Sequence, residues 1–328
     1  LWVELLADTS MWRPEQSSDV YRLDLSALLA GPDEAPDLDD PRVHPLVRIA
    51  YLTADLERWH AEARRPEAAL EAFLERGRRL HDSFSRDDDR DTIRDTLAAR
   101  LDAFDRSLAW WAAGRAELAR MTRADDAPDA LIRAHALALA GFERHPSTIG
   151  GQRCEHVVRS IEAPSDSVQG MAADGVGRSS LRVDHANLDA VWFRAYRYDL
   201  DDWFATSEDR NIFPSWQQVP EFLRDRQPDV EWKVDLPPAP DYRAHASDVV
   251  PPINTPGAYV VVTSARSDFE EGGNQLTAVH LIVGDLVLVT RSVGGRWEVE
   301  TRSGATGEPR PDVAVTLWRT DWRRGHYP

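Results

Sequence analysis

From Leu46 to about residue 160 the apolar positions recur every three or four residues, the period that gathers them on one face of a helix. Ile49, Leu52, Leu56, Trp59 and Ala63 form one such stripe, and Leu70, Phe73, Leu74, Gly77 and Leu80 a second. Pro66 between them falls where the first turn of the second helix tolerates a missing N–H. After the charged break Asp87 to Asp91, one long helix is expected to carry Ile93, Leu97, Leu101, Phe104, Leu108, Trp111 and Leu118. Pro128 opens a fourth helix, with Ile132, Leu139 and Phe142 inward, and Pro146 stops it because proline disfavours helix at the residue before it. Ser147 or Thr148 caps a fifth, carrying Ile149, Cys154, Val157, Val158 and Ile161. No clean repeat period is present, so residues 45–163 read as an irregular domain of helical hairpins. Residues 1–44 read as an N-terminal segment, strand or short helix at Leu1 to Leu6, ending in an acidic, proline-dotted linker from Pro32 to Pro45.

Past Ala163-Pro164 the period becomes two, that of a half-buried strand. Ser180 to Ala186 and Ala190 to Tyr198 are predicted strands around Asn187-Leu188-Asp189, where asparagine tolerates a left-handed backbone. Residues 230–236, 243–250 and 257–265 continue the alternation, so 164–270 is expected to form one β-sandwich of normal size, with an insertion at 199–228 holding a small helix near Val219 to Leu223. Residues 278–283, 286–289 and 313–318 are rich in β-branched residues and bounded by turn formers. They predict a second, incomplete sandwich over 276–328, whose unpaired strands would expose edges and favour self-association.

Composition narrows the partners. The formal net charge of -17 argues against nucleic acid and anionic membrane surfaces. Lys233 is the only lysine, which we read as base-composition bias. No apolar run approaches the ~18 residues of a membrane span. Cys154 is the only cysteine, so neither a disulfide framework nor a thiolate-rich metal site is available. The chain opens on Leu1 and not Met, as expected of a piece of a longer protein with any signal peptide or lipid anchor upstream.

Three groups of residues carry the resemblance to a known family. Phe142-Glu-Arg-His-Pro-Ser147, Cys154 and Ile161-Glu-Ala-Pro164 look like the family's last helical hairpin with its aromatic-x-x-x-Pro-Ser turn. His185-Ala-Asn-Leu-Asp-Ala-Val-Trp-Phe-Arg-Ala-Tyr-Arg197 is similar to the Asn-centred hairpin of its first β-domain. Pro256-Gly-Ala-Tyr-Val-Val261, Val283-Gly-Asp-Leu286 and Ala305-Thr-Gly-Glu-Pro309 look like the passage from one such domain to the next. In this order, over about 45–320, they resemble the N-terminal half of the bacterial alpha-2-macroglobulins. The resemblance implies a multidomain chain: an all-α helical-hairpin domain, then all-β macroglobulin-like (immunoglobulin-like) sandwiches, the last incomplete. It implies a protease-trapping inhibitor of the periplasm or cell envelope, in which cleavage of a bait segment collapses the molecule around its attacker. The family's thioester motif is Cys-x-Glu-Gln; Cys154-Glu-His-Val157 departs from it and lies in a helical stretch. This chain is therefore expected to be scaffold, not an enzyme, meeting proteases only through regions it lacks, with a lipid anchor upstream of Leu1 as the candidate attachment. The competing expectation is an adhesion or glycan-binding β-sandwich module of an envelope protein.

No catalytic, cofactor-binding or metal-binding residue is assigned. Asp87, Asp89 and Asp91 alternate like the first ligands of a calcium loop, but Thr92 and Ala98 stand where that loop needs Gly and Glu. They read as solvated charges suited to a helix start. His135, His145, His156, His185, His245 and His280 show no zinc spacing such as His-Glu-x-x-His. Cys154 reads as a small buried hydrophobe. The twelve tryptophans, Trp59 and Trp111 among them, read as packing groups before glycan platforms. Ser264 and Ser292 lie in no nucleophile turn, and Gly272-Gly273 and Gly294-Gly295 read as hairpin turns and not phosphate cradles.

Overall fold

Helices need their free ends satisfied, and in the first half of this chain one of them, that of Trp110, is satisfied from another helix. The computed structural model describes residues 2–32, 34–171, 179–202, 219–224, 226–321 and 325–327. It divides into two units, Leu1–Glu162 and Ala163–Pro328. The first is helical: α1 (Trp2–Ala7), α2 (Pro14–Asp19), α3 (Leu25–Ala30), α4 (Pro45–Glu62), α5 (Pro66–Ser83), α6 (Asp87–Asp102), α7 (Trp110–Arg123), α8 (Ala130–Arg144) and α9 (Ile149–Glu162). Pro45 and Pro66 each occupy a first turn, as proline should. His44 caps α4: its Nδ1 accepts from the Leu46 N–H at 3.1 Å, while its Nε2 donates to the Gln16 carbonyl at 2.9 Å. That bond ties the N-terminal segment to the longer helices. Val20, Leu25, Leu28 and Leu29 share one buried cluster with Leu46, Ile49, Leu70, Leu74 and Leu97. The stretch 1–44 is thus part of the helical core, and its proline-dotted end is a loop within the unit.

The expected long helix through Ile93 and Leu118 is two helices, α6 and α7. The Asp105 carboxylate accepts from the Ser107 N–H at 2.9 Å, turning the chain. Glu67 on α5 then accepts from the Trp110 N–H at 3.1 Å, and Glu71 from the Trp110 Nε1 at 2.7 Å, so α7 takes its cap from another helix. Inward faces differ as well. Leu56, Trp59, Ile132 and Ile149 are exposed. The buried face of α8 is instead Ala130, Ala134, Ala138 and Gly141, a seam of small residues that lets its neighbours close in. A Cβ on Gly141 would lie 2.5 Å from the Cys154 sulfur, and one on Gly150 only 2.4 Å from the Ala113 backbone nitrogen.

The second unit is a β-sandwich. One sheet has the order β1-β2-β5, from Ser165–Met171, Ser180–Ala186 and His245–Val249. The other has the order β4-β3-β6-β7, from Val230–Asp235, Ala190–Tyr198, Gly257–Ser264 and Thr277–Val283. All pairings are antiparallel. Leu181, Val183, Val191, Phe193, Tyr259, Val261, Leu281 and Val283 fill the space between the sheets. Asn187 takes the left-handed backbone expected of it, with φ 56°, and its Nδ2 donates to the Ala163 carbonyl at 3.0 Å.

Two readings are corrected here. Strand β1 lies in a stretch that shows no apolar alternation and for which no strand is predicted; residues 172–178 lie outside the described residues, as does most of the insertion, at 203–218. A short helix, α10 (Val219–Arg224), does follow. The strand at Thr277–Val283 does not open a second sandwich: it pairs with β6 in the register Val261↔Val279 and completes the first. What comes after is a hairpin, β8 (Leu286–Val293) with β9 (Arg296–Ser303), turned by Gly294 (φ 56°) and Gly295 (φ 79°) as the paired glycines predict. Residues 313–318 are not a strand. A small pair, β10 (Arg319–Asp321) and β11 (Gly325–Tyr327), lies at the end.

Candidate functional site

Several of the groups singled out from the sequence are held by buried or hydrogen-bonded contacts. Cys154 is fully buried, its thiol 3.3 Å from the Ala112 carbonyl, and burial pushes its pKa up to about 12 although Arg115 pulls the other way. A thiol so placed is no nucleophile at neutral pH. Asp87, Asp88 and Asp89 occupy the first turn of α6, where they complement the helix dipole, and Asp91 pairs with Arg94. Nε2 of His145 donates to the Arg106 carbonyl at 2.9 Å, and Nε2 of His135 lies 2.7 Å from Glu162. Among the described residues no group of three or more His, Cys, Asp or Glu is placed to hold a metal ion, and no helix is long and apolar enough to cross a membrane.

One constellation resembles catalytic chemistry. His185 Nε2 lies 3.0 Å from Ser247 Oγ, and the His185 ring centroid is 6.4 Å from that of His245, whose Nε2 bonds Asp241 at 2.8 Å. A serine nucleophile needs its histidine oriented by a third group. Here the carboxylate belongs to the other ring, and His185 Nδ1 has no partner. Burial, then the charge of His245, lowers the His185 pKa. The set is a cross-strand polar pair of β2 and β5 beside the exposed His245–Asp241 hydrogen bond, with no carboxylate orienting the His185 ring. Asp166, likewise, is pushed up by burial and bound by Thr263 Oγ1 at 3.0 Å, which links β1 to β6 across the sandwich.

The feature that the sandwich does not absorb is the hairpin β8–β9. Its register sets Ser292 opposite Trp297, Thr290 opposite Val299 and Leu288 opposite Thr301. Leu286, Leu288, Trp297 and Val299 therefore share one face, with only hydroxyl side chains between them and no charge. The opposite face carries all the charge, Arg291, Arg296, Glu298, Glu300 and Arg302, together with Val287, Val289 and Val293; Arg291 Nε lies 2.7 Å from Glu298 and Arg302 Nη2 2.8 Å from Glu300. Such a split is the pattern of a sheet with one covered side. Yet Trp297 is 74% exposed, and Leu286, Leu288 and Val299 are exposed too. Leu286 and Leu288 line a hollow of 390 Å³ with Met171, His280 and Ile282. A two-stranded ribbon is marginal by itself, so its base must be held. Asp285 holds it, accepting from Ser303 Oγ at 2.7 Å, the Ala305 N–H at 2.7 Å and Arg310 Nη2 at 3.0 Å. The same bonds lower its pKa. They bring Val283-Gly-Asp-Leu286 against Ala305-Thr-Gly-Glu-Pro309, with Gly307 at φ 73° and its N–H on the Ser303 carbonyl at 2.8 Å. The role of Asp285 is invisible in the sequence because its partners lie about twenty residues on.

No protein-family model matches this chain, and no curated protein matches it. Among solved structures, the chain is similar to native alpha-2-macroglobulin from Escherichia coli spanning domains MG0-NIE-MG1, at 16% identity and a TM-score of 0.32. The match covers 49% of this chain and 56% of that one, little more than half of the length of the solved fragment. That overlap is too low to establish a shared fold.

Proposed function

We propose that this chain is a non-catalytic scaffold portion of a bacterial, envelope-associated protease trap of the alpha-2-macroglobulin type. What supports the reading is the ordered set of motifs from Phe142 to Pro309, together with a helical unit followed by β-structure. The single observation that carries it is the β8–β9 hairpin, whose uncharged, partly apolar face is anchored by Asp285 beside a completed sandwich; we read it as the start of a further macroglobulin-like module, whose facing sheet would cover Leu288, Trp297 and Val299. The role is mechanical. Serial immunoglobulin-like modules hold a bait segment located elsewhere in the protein, and its cleavage is relayed through interfaces with two stable arrangements. Proteases are the partners, and no residue of this chain acts on substrate.

The test uses the full gene product. Incubated with an endoprotease, it is expected to be cut once, to become more compact by small-angle scattering, and to leave the protease active on a small chromogenic peptide but not on casein. A gene product that ends within a few residues of Pro328, or one that hydrolyses substrates itself, ends the proposal. A second reading, glycan binding, has the exposed Trp297 in its favour; glycan-array binding that disappears in Trp297→Ala would replace the scaffold reading.

A further inference from the structure

A cleft of 550 Å³ opens in the helical unit between α3, α4, α5 and α6, within the size range of small-ligand sites. Arg58, Arg76 and Arg100 line it, and so does a single carboxylate, Glu57. The Arg76 side chain is 98% buried (2% exposed), yet only two of its three nitrogens are satisfied. Nε donates to the Leu29 carbonyl at 3.0 Å and Nη2 to Glu57 Oε2 at 2.7 Å, while Nη1 has no partner. Glu57 spends its other oxygen on Arg100 Nη2 at 2.9 Å. Both guanidinium groups also lie over the Phe73 ring, 5.1 and 5.5 Å from its centroid.

An unpaired buried N–H on a charged group is expensive, and like charges nearby make it worse. Burial lowers the Arg76 pKa, Glu57 opposes the shift, and Arg100 and Arg58 add to it. Three cations thus face one carboxylate that is already divided between two of them. Asp55 lies 3.6 Å from Arg58 on the solvent side and offsets one more charge. The cluster is left with an excess of about one positive charge and a free guanidinium N–H, which matches one monoanion and not a phosphate dianion. The remaining wall sets the apolar side chains of Leu29, Ala54, Ala61 and Phe73 beside the hydroxyls of Ser26, Thr92 and Thr96.

We propose that this cleft binds a monocarboxylate joined to an apolar body. Two sources share that chemistry, a small organic acid and the free C-terminus of a peptide. Calorimetric titration of the full chain separates them, using hexanoate, the tripeptide Ala-Leu-Phe, its C-terminal amide, and inorganic phosphate. Hexanoate or the free-acid tripeptide is expected to bind, whichever is tighter naming the source, with the amide weaker by at least about tenfold. Arg58→Ala alters only a half-exposed side chain and keeps the fold. It is expected to weaken the better ligand about tenfold, and Arg100→Lys, which keeps the charge but loses the planar fork, to weaken it as well. No binding of either carboxylate up to about 10 mM overturns the proposal. Equal binding of acid and amide, tighter binding of phosphate, or indifference to both variants overturns it too.

Discussion

His280 sits on β7 with its Nδ1 3.2 Å from the Tyr198 hydroxyl, and burial lowers its pKa to about 4. The unfolded chain protonates this ring near 6.5, before the folded one does. Its contribution to stability is therefore complete above pH 6.5 and is lost as pH falls toward 4, a total of about 3 kcal/mol. His44 and His185 are lowered by burial and act in the same sense, whereas Asp166, raised by burial, opposes them. Urea unfolding followed between pH 7 and about pH 4 should show the β-unit weakening on acidification. In His280→Gln that slope should flatten; an unchanged slope would show that the ring is not held neutral by the fold. Cys154 illustrates the same physics: burial raises its thiol to about 12, so it stays protonated at neutral pH.

Two elements turn on contacts that single residues do not reveal. The crossing of α9 over α7 depends on Gly150, where an added Cβ would strike the Ala112–Ala113 backbone. Backbone cannot yield as a flexible side chain does, so Gly150→Ala should cost about 3 kcal/mol or more and lower the denaturant midpoint of the helical unit. Gly77→Ala, at a helical position with nothing within 4 Å, is the matched control and should be neutral or stabilising. The β8–β9 hairpin poses the opposite problem, an apolar face without a cover. Leu288→Thr with Trp297→Thr keeps strand propensity while removing that face. The parent chain should self-associate with rising concentration in sedimentation velocity, and the double variant should remain monomeric with its thermal midpoint unchanged. A monomeric parent at high concentration would refute the expectation.

At the scale of the molecule, each unit owns its core: Leu46, Leu70, Leu97 and Met121 in the helical one, Val191, Phe193, Val261 and Leu281 in the β-sandwich. Separate cores predict separate cooperativity. Chemical denaturation should resolve two transitions, one followed by far-ultraviolet helical signal and one by the Trp232 environment, whose ring stacks on Phe193 at 4.8 Å. Residues 1–162 expressed alone should retain the first transition. A truncation that begins at residue 45 should not, because it removes Leu25, Leu28 and Leu29 from the shared cluster. The apolar hairpin and the arginine cleft are the surfaces on which recognition is to be sought.

The change of period near residue 163 was legible in the residues alone, because a helix and a strand impose different spacings on the apolar side chains they bury. So were the proline that opens α5, the left-handed Asn187 and the glycine turn of β8–β9, since each is a local backbone preference. Non-local partners decided the rest. The break between α6 and α7 depends on Glu67 and Glu71 reaching from α5, and the inward face of α8 on how closely small residues let α9 approach. Strand β7 belongs to the first sandwich because β6 offers it an open edge, a pairing that no alternation of side chains encodes. The cleft around Arg76 exists only because four helices bring together charges that lie up to forty-three residues apart, where attraction and desolvation depend on distance and burial and not on order along the chain.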